Sequence, residues 1–329
     1  MKKICVFIPT MNRSECINAY LDKVLSVAEK SNIDFYISDT STDNRTEEII
    51  KEYSKTYSKL KYRHYDNYPD RTTDLKVVEG FEELKSQYDY IWLCGDGCIL
   101  LIEKWLPVIE AYLEQDFELV YFSNCTDKDS EVITVCTDVH EFFKEHAWYA
   151  TYYCATMISS NFVNMDLMKS LYPKWKNSGY LYWRFLFENL SLNQEVQIAV
   201  CNGTFFEVNP YKSLNSSYKP GRFLDFWAGN WVNVVESLPD YYTSSEKENV
   251  MKRVGIELKS YDIENLFLLR KTDNLSRKLY LEYKERLKKV TGKKLGLIKF
   301  ISFSPKCLVN GMHILYRVLR RIKRRIKRG

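Results

Sequence analysis

The sequence predicts an α/β fold: a doubly wound, mostly parallel sheet followed by a helical C-terminal extension. Three observations support this prediction. Short apolar runs alternate with helical patterns through the first 120 residues. Most of these runs are continuously apolar, as expected of strands buried on both faces of a sheet. From about residue 222 onward the pattern becomes mostly helical and rich in tyrosine.

The elements follow from local signals. The first run, KICVFIP, ends on Pro9, and Ser14 with Glu15 can open the helix behind it. The loop DTSTDN offers a Thr/Asp cap for the second helix, which carries Ile49 and Ile50 inward. The predicted strands cover residues 3–9, 33–38, 60–65, 88–94 and 117–123, and the later helices cover 73–86 and about 103–115. Farther along we expect strands at 131–137 and 151–159, a helix at 138–146, and a β-hairpin over 195–208.

Composition narrows the class of protein. The 329 residues, 45% hydrophobic and 28% charged, are typical of a globular protein with one large domain or two ordinary ones. The nine cysteines include no Cys-x-x-Cys pair and lie mostly in apolar runs, which indicates reduced core residues of a cytosolic protein. Cys94 and Cys98 could form half of a metal site, but no further cluster of His or Cys follows them. No run of 18 apolar residues occurs, and the N-terminal apolar stretch is too short for a signal peptide.

The charge is distributed unevenly. Residues 277–329 contain 18 Lys/Arg and two Glu, a net charge of +16, whereas residues 1–276 carry 30 Lys/Arg and 41 acids, a net charge of −11. The segment MHILYRVLRRIKRRIKRG sets apolar side chains on one helical stripe among eight basic residues. This pattern predicts an interfacial helix that binds an anionic membrane surface. A solvated tail is the alternative, and a nucleic-acid arm is disfavoured because phosphate binding has no need of the apolar stripe.

Polar residues follow three of the predicted strands. Pro9 and Thr10 end the first strand, Asp39 the second, and Asp96 the fourth. In a doubly wound sheet these ends converge on one crevice, where ligands bind. Carboxylates there can hold ribose hydroxyls, a base edge or a divalent cation. The structural alternatives are a helix cap for Asp39 and an ordinary turn for Asp96 between Gly95 and Gly97.

Three segments resemble the N-terminal signatures of family-2-type glycosyltransferases with the GT-A fold. They are VFIPTMNR, IDFYISDTSTDNRTEEIIKEY and YDYIWLCGDGCIL. The resemblance covers residues 3–125, weakens through 126–210 and is not visible beyond 210.

The resemblance implies roles for several residues. Thr10 and Asn12 are expected to lie against the nucleotide, and Asp39 to accept a hydrogen bond from the base, typically from a uracil N–H. Arg71 is a candidate for contact with the base or the phosphates, with Asp74 and Lys76 as nearby alternatives.

Asp96 matches the first acid of the family's Asp-x-Asp-like cluster, and is expected to act in catalysis as a ligand of Mn²⁺ or Mg²⁺ or as a contact of the donor sugar. The sequence departs from the pattern at the following positions, which are Gly97 and Cys98. One carboxylate together with diphosphate oxygens can still hold such an ion, which keeps several waters. Gly95 and Gly97 let the backbone approach the sugar diphosphate closely.

An inverting transferase of this family needs a general base beside the acceptor hydroxyl. The resemblance places it near NSGYLYWRFLFENLS, where Glu188 is the nearest acid and the candidate base. A solvated helix residue is the alternative interpretation of Glu188. His140, His146 and Asp166 are weaker candidates for the same role.

The resemblance and the tail together predict a glycosyltransferase of the hexosyltransferase type. It would use a UDP-sugar donor and a glycan or lipid-linked glycan acceptor in surface polysaccharide synthesis, such as that of a capsule, at the cytoplasmic face of the cell membrane and without a nucleic-acid partner. The predicted domains are a GT-A domain over 1–220, a helical extension over 221–276 and a basic tail over 277–329. The rival functions are an inactive sugar-nucleotide-binding scaffold and a nucleotidyltransferase, although the glycine-rich loop of the latter is absent after the first strand.

Overall fold

A computed structural model of the protein describes residues 2–66, 72–104, 106, 113–123, 133–193, 195–212, 222–291 and 295–326. The chain divides into two compact units, Met1–Ser216 (unit 1) and Ser217–Gly329 (unit 2).

Unit 1 is built around a sheet that, within the described residues, has eight strands in the order β3-β2-β1-β4-β8-β6-β9-β7, with β5 and β10 paired separately. The strands are β1 (Ile4–Thr10), β2 (Ile33–Asp39), β3 (Leu60–His64), β4 (Tyr90–Leu93), β5 (Cys98–Leu100), β6 (Leu119–Phe122), β7 (Ile133–Cys136), β8 (Thr156–Ser159), β9 (Ile198–Cys201) and β10 (Phe206–Val208). The α-helices of this unit whose bounds lie within the described residues are α1 (Ser14–Ala28), α2 (Arg45–Ser54), α3 (Thr73–Leu84), α4 (Val139–His146), α5 (Met165–Trp175) and α6 (Leu181–Ser191).

The first four strands of the sheet order are parallel, as the sequence predicts. β1 lies between β2 and β4, and β2 pairs with β3. Every residue of β1 is buried, because helices cover both faces of a sheet of this kind. The register sets Thr10 opposite Asp39, so two of the predicted site residues end neighbouring strands at the same level.

The second half of the sheet is mixed. β8 inserts between β4 and β6 and runs antiparallel to both, while β6 pairs in parallel with β9. The predicted strand at 117–123 therefore does not extend the parallel order next to β4. Most of the helix predicted at about 103–115 lies outside the described residues.

The hairpin predicted over 195–208 is wrong. β9 joins the large sheet beside β6 and β7, whereas β10 pairs antiparallel with β5. Strand β5 follows the Gly95–Asp96–Gly97 turn directly, so β10 is brought to that turn. Two apolar runs close in sequence indicate a hairpin locally, but each of these runs has a better partner elsewhere in the sheet.

The core of unit 1 consists of side chains from the strands and from the inner faces of their helices, including Val6, Ile17, Phe35, Trp92 and Met157. The described cysteines are free thiols, and all of them except Cys136 and Cys307 are buried, as the sequence predicts of core residues. The N-cap residue of α2 is Asn44, which makes no side-chain cap hydrogen bond. The preceding Asp43, part of the predicted Thr/Asp start, instead accepts from the backbone N–H of Arg45, the first residue of the helix, at 3.1 Å.

Unit 2 is helical. It begins with Arg222–Leu224 and a π-helical turn at Asp225–Asn230, and continues with α7 (Trp231–Glu236), α8 (Ser244–Glu257), α9 (Ile263–Lys271), α10 (Arg277–Thr291), α11 (Leu295–Phe303) and α12 (Lys306–Ile326). Helices α10 and α11 bury Leu287, Val290 and Ile298, so the first part of the predicted tail packs within this unit. Among the described helices, none is both long enough and apolar enough to cross a bilayer.

Candidate functional site

The end of β1 carries the first residues of the site. Thr10 is buried, and Asn12 adopts a left-handed backbone conformation with φ of 53°. This turn directs the Asn12 backbone N–H to Ser41 Oγ at 2.8 Å, and the Asn12 side-chain oxygen accepts from the Thr42 N–H at 2.9 Å. Asparagine tolerates this conformation better than most residues. The loops after β1 and β2 are thereby fastened together.

Asp39 ends β2 and is fully buried. Its Oδ1 accepts from the backbone N–H of Ser41 at 2.8 Å and from its hydroxyl at 2.6 Å, while Oδ2 accepts from the Tyr62 hydroxyl at 3.0 Å. His64 Nδ1 lies 3.8 Å from Oδ2. Asp39 therefore closes an Asx-type turn and does not cap α2. Oδ2 has one hydrogen-bond donor within 3.0 Å and retains a lone pair for another.

Asp96 lies across β1 from Asp39 and is 5% exposed. Its Oδ2 accepts from the Thr10 hydroxyl at 2.8 Å, and its Oδ1 is bonded and ion-paired to Arg13 Nη1. Burial raises the pKa of Asp96, and Arg13 and the Thr10 hydrogen bond oppose that rise. The sequence-predicted residues Thr10 and Asp96 are in direct contact, and Arg13, which sequence reasoning missed, joins them.

The Gly95–Asp96–Gly97 segment is a tight turn, closed by a hydrogen bond from the Cys98 N–H to the Gly95 carbonyl at 3.1 Å. Neither glycine has a positive φ, so the turn does not require glycine for its backbone conformation. A Cβ at Gly95 would meet nothing within 4 Å. The turn interpretation of this segment is confirmed. The site interpretation stays a prediction, with which the turn is compatible because it positions the Asp96 carboxylate against Thr10.

Lys76, on α3, is a buried cation between the two acids. Its Nζ donates to the Thr10 carbonyl at 2.6 Å and to Thr40 Oγ1 at 3.0 Å. Burial lowers the pKa of Lys76 to about 8, and Asp39 and Asp96 act against that fall. This position supports a role in organising the ends of β1 and β2 more than direct contact with a ligand.

Two further residues reach the site from the loop after β10. The Asn209 side chain, 1% exposed, donates to the Asp96 carbonyl at 3.0 Å and to the Cys16 carbonyl at 2.8 Å. The Lys212 side chain packs over Gly97, where an added Cβ would lie 3.2 Å from its carbons, and the Lys212 carbonyl accepts from Arg13 Nη2 at 2.9 Å. No local signal marks these residues, because their proximity depends on the β5–β10 pairing.

Asp74 is buried at the start of α3 and accepts backbone hydrogen bonds from the loop before α6, including the Gly179 N–H at 3.4 Å. Burial raises the pKa of Asp74 to about 6. Its contacts bind the loop before α6 to α3, which indicates a structural role. Arg71, for which Asp74 was the alternative, lies outside the described residues.

The structure does not bring Glu188 to the strand ends. Glu188 is ion-paired with the buried Arg184 one turn earlier in α6. The neighbouring Asn189 donates to the Phe162 carbonyl at 2.7 Å. Phe162 lies three residues beyond the end of β8, and the last residue of β8, Ser159, pairs with Tyr90 at the amino end of β4. Glu188 thus lies toward the amino end of β4, whereas Asp96 follows its carboxyl end. The role of Glu188 as a base stays a prediction that its position does not support.

Among the described residues, no group of three or more His, Cys, Asp and Glu side chains has the arrangement of a metal site. The strand ends instead combine two carboxylates, Asp39 and Asp96, with the cations Arg13, Lys76 and Lys212. Carboxylates accept hydrogen bonds from N–H and O–H groups, and cations bind phosphate oxygens. This set is suited to a ligand that has both hydrogen-bond donors and a phosphate group.

The chain is similar to solved structures of distant sequence. S. aureus TarS 1-349 has 11% identity over 96% of this chain and 91% of that chain, with a TM-score of 0.49. Its complex with UDP-GlcNAc has 10% identity over the same shares and a TM-score of 0.45. Glucosyl-3-phosphoglycerate synthase from Mycobacterium tuberculosis, in complex with Mg²⁺ and UDP, has 14% identity over 73% of this chain and 81% of that chain, with a TM-score of 0.45.

No curated protein matches the chain in a sequence comparison. Residues 5–134 match the family model described as Glycosyl transferase family 2. The matched segment contains β1 to β6, and with them Thr10, Asp39, Lys76 and Asp96. The match confirms the resemblance carried by the three sequence signatures: residues 5–134 are similar to glycosyl transferase family 2.

Proposed function

We propose that the protein is a glycosyltransferase that takes its sugar from a UDP-sugar and transfers it to a glycan or lipid-linked glycan while α12 rests on an anionic membrane surface. The observation that carries the donor assignment is the meeting of two carboxylates and three cations at the ends of β1, β2 and β4. A uridine diphosphate sugar offers what these groups bind, namely an imino N–H, sugar hydroxyls and a diphosphate.

Asp39 is the proposed reader of the base. Its Oδ2 is bonded to Tyr62 and can accept a second hydrogen bond. Uracil presents an N–H at its ring N3, whereas cytosine presents an unprotonated nitrogen there. A carboxylate that accepts from N3 therefore favours UDP over CDP.

The membrane assignment rests on α12. Its inner face packs on α9, where Val309 and His313 are buried and Phe267 contacts the His313 and Tyr316 rings at 5.5 and 6.1 Å. The opposite face exposes apolar side chains, with 65% of Ile314 and 59% of Leu315 accessible. The rest of this stripe consists of Val318, Leu319 and Ile322. An apolar stripe flanked by basic residues is typical of a helix that lies in a membrane interface.

A binding experiment on Asp39→Asn tests the donor assignment. Asn keeps the shape and the bonds to Ser41 but replaces one carboxylate oxygen with an N–H donor. The thermal shift of the intact protein should be larger with UDP than with CDP, ADP or GDP, because ligand binding stabilises the folded state. Asp39→Asn should lower UDP affinity about ten- to a hundredfold, which is the loss of a charge-assisted hydrogen bond of about 1.5–3 kcal/mol.

Asp43→Asn is the matched control, since Asp43 lies in the same loop but pairs with Arg45 on the surface. It should leave UDP affinity unchanged. Equal affinity of Asp39→Asn and the unsubstituted protein for UDP would leave Asp39 with its turn role only. An absence of any nucleotide-induced shift would contradict the donor assignment.

A further inference from the structure

The divalent cation that this family resemblance implies does not fit the contacts of Asp96. Both carboxylate oxygens already accept hydrogen bonds, from Thr10 and from Arg13. The next two positions, where a second acidic ligand would be expected, are Gly97 and Cys98. Mg²⁺ requires a near-octahedral set of oxygen ligands and Mn²⁺ favours oxygen donors. Asp39 cannot serve as the second carboxylate while it reads the base, because its Oδ1 already accepts two hydrogen bonds from Ser41 and the lone pair left on Oδ2 is then used by the uracil N–H.

The charges around Asp96 also disfavour a cation. Arg13, Lys76 and Lys212 all act electrostatically on this carboxylate. Together with the carboxylates Asp39 and Asp96, these three cations give the strand ends a net charge of +1. A divalent ion would add two more positive charges to a site of low dielectric, where repulsion between like charges is strong. A diphosphate would instead neutralise the excess.

Arg13 is held in a position to bind that anion. Asp96 fixes Nη1, and the Lys212 carbonyl fixes Nη2 at 2.9 Å. Each Nη carries a second N–H, so the guanidinium keeps donors for phosphate oxygens in its planar fork. The Lys212 side chain lies over Gly97, and Lys212 is an exposed residue. Its ammonium group, at the end of a flexible side chain, can therefore reach a phosphate oxygen bound nearby.

We propose that Arg13 and Lys212 bind the donor's diphosphate directly in place of a divalent metal ion, and that Asp96 is a positioning residue for Arg13. This inference rests on the proposed nucleoside diphosphate donor. It differs from the sequence-based expectation, in which Asp96 binds Mn²⁺ or Mg²⁺.

Calorimetric titration of the full chain with UDP and with uridine, first in excess EDTA and then in Mn²⁺, tests the proposal. UDP should bind with the same affinity in both conditions. Arg13→Ala should lower UDP affinity about ten- to a hundredfold, as expected for a lost charged contact, and leave uridine affinity unchanged because uridine has no phosphate. Lys212→Ala should give a smaller loss of the same kind, and Arg13→Lys should recover part of the affinity because it restores the charge without the fork.

Lys51→Ala is the charge-matched control, because Lys51 is exposed on α2 and pairs with Glu47 at 2.6 Å. It should leave both affinities unchanged. UDP binding that is lost in EDTA and restored by Mn²⁺ would overturn the proposal while leaving the UDP-sugar donor intact. Equal losses of UDP and uridine affinity in Arg13→Ala would overturn it too, since Arg13 would then act on the fold of the site. No UDP binding in either condition would overturn the donor assignment and this inference together.

Discussion

At the scale of single residues, burial decides what the charged groups of unit 1 do. Asp74 and Lys76 stand two positions apart on α3, and both are 2% exposed. Burial disfavours the charged form of each group, so the pKa of Asp74 rises to about 6 and the pKa of Lys76 falls to about 8. Asp74 faces the backbone before α6, whereas Lys76 bonds the end of β1. A shift of pKa between the folded and unfolded states makes stability depend on pH.

Asp74 provides the clearest test of this dependence. Its folded pKa of about 6 lies above the unfolded value of 3.8, so the folded state binds the proton more tightly. The stabilisation is complete below the unfolded pKa and is lost as the pH rises through the folded pKa. Relative to Asp74→Asn, which cannot titrate, the free energy of unfolding of the unsubstituted protein should increase by about 1 kcal/mol when the pH is lowered from 7 to 5.

Urea denaturation of both proteins at pH 5, 6 and 7 measures this difference. Asp166→Asn is a suitable control, because Asp166 lies in the first turn of α5 and outside the buried set of that helix. A gap between Asp74→Asn and the unsubstituted protein that stays constant over this range would show that Asp74 has the same pKa in the folded and unfolded states.

At the scale of elements, the packing of α3 on β1 depends on one glycine. A Cβ at Gly80 would lie 2.3 Å from the ring of Phe7. That ring is fully buried and is fixed edge-on against Tyr36 and Phe81, at centroid distances of 5.7 and 6.3 Å. Because Phe7 cannot move away, Gly80 sets how closely α3 approaches the sheet, and with it the position of Lys76.

Gly80→Ala should therefore destabilise unit 1. Overpacking a core costs about 1–3 kcal/mol, and the better helix propensity of alanine returns at most about 1 kcal/mol of it. Thermal denaturation should show a lower Tm, by a few degrees for each kcal/mol in a domain of this size. Gly296→Ala is the control, because no atom lies within 4 Å of the Cβ that it adds in α11. The Tm of this variant should be unchanged or higher. A Tm for Gly80→Ala at or above that of the unsubstituted protein would contradict the close approach.

At the scale of the whole molecule, the charge split is the main feature. The segment 1–276 carries −11 and the segment 277–329 carries +16, so the two would respond oppositely to an anionic surface. Arg320 is paired with Glu264 on α9, and much of the remaining positive charge flanks the exposed apolar stripe of α12. Binding to an anionic membrane should therefore have an electrostatic and an apolar component.

Sedimentation with vesicles separates these components. The full chain should bind vesicles that contain phosphatidylserine, and salt should weaken the binding, since the Debye length falls from about 8 Å at 0.15 M to about 3 Å at 1 M. A salt-resistant part should remain, because burying each Leu or Ile of the stripe contributes about 1.5–3 kcal/mol. The triple variant Leu315→Gln, Leu319→Gln, Ile322→Gln should lose that part.

Leu281→Gln is the matched control for the triple variant, because Leu281 is a 57% exposed leucine on α10 and does not belong to the stripe of α12. It should bind vesicles as the unsubstituted protein does. If the full chain binds nucleic acid but does not bind anionic vesicles, the membrane assignment is wrong.

The sequence by itself determined the local order of unit 1 and the residues that end its strands. The continuous apolar runs of β1, β2 and β4 leave little choice but a buried parallel sheet, and in such a sheet Thr10, Asp39 and Asp96 must meet at one edge. The family match over residues 5–134 agrees with this. These features are readable because they depend on side-chain periodicity within a few residues.

Only the tertiary structure decided which partners these residues take. The pairing of β10 with β5 brings Asn209 and Lys212 to the Asp96 turn from more than 100 residues away, and the insertion of β8 places the far end of α6 with Glu188 toward the opposite edge. Pairing between distant strands depends on how well whole faces fit together, and no local pattern encodes that fit. The contacts of Thr10 and Arg13 with the Asp96 oxygens, and with them the case for Arg13 over a metal ion, likewise depend on the tertiary pairing of β1 with β4.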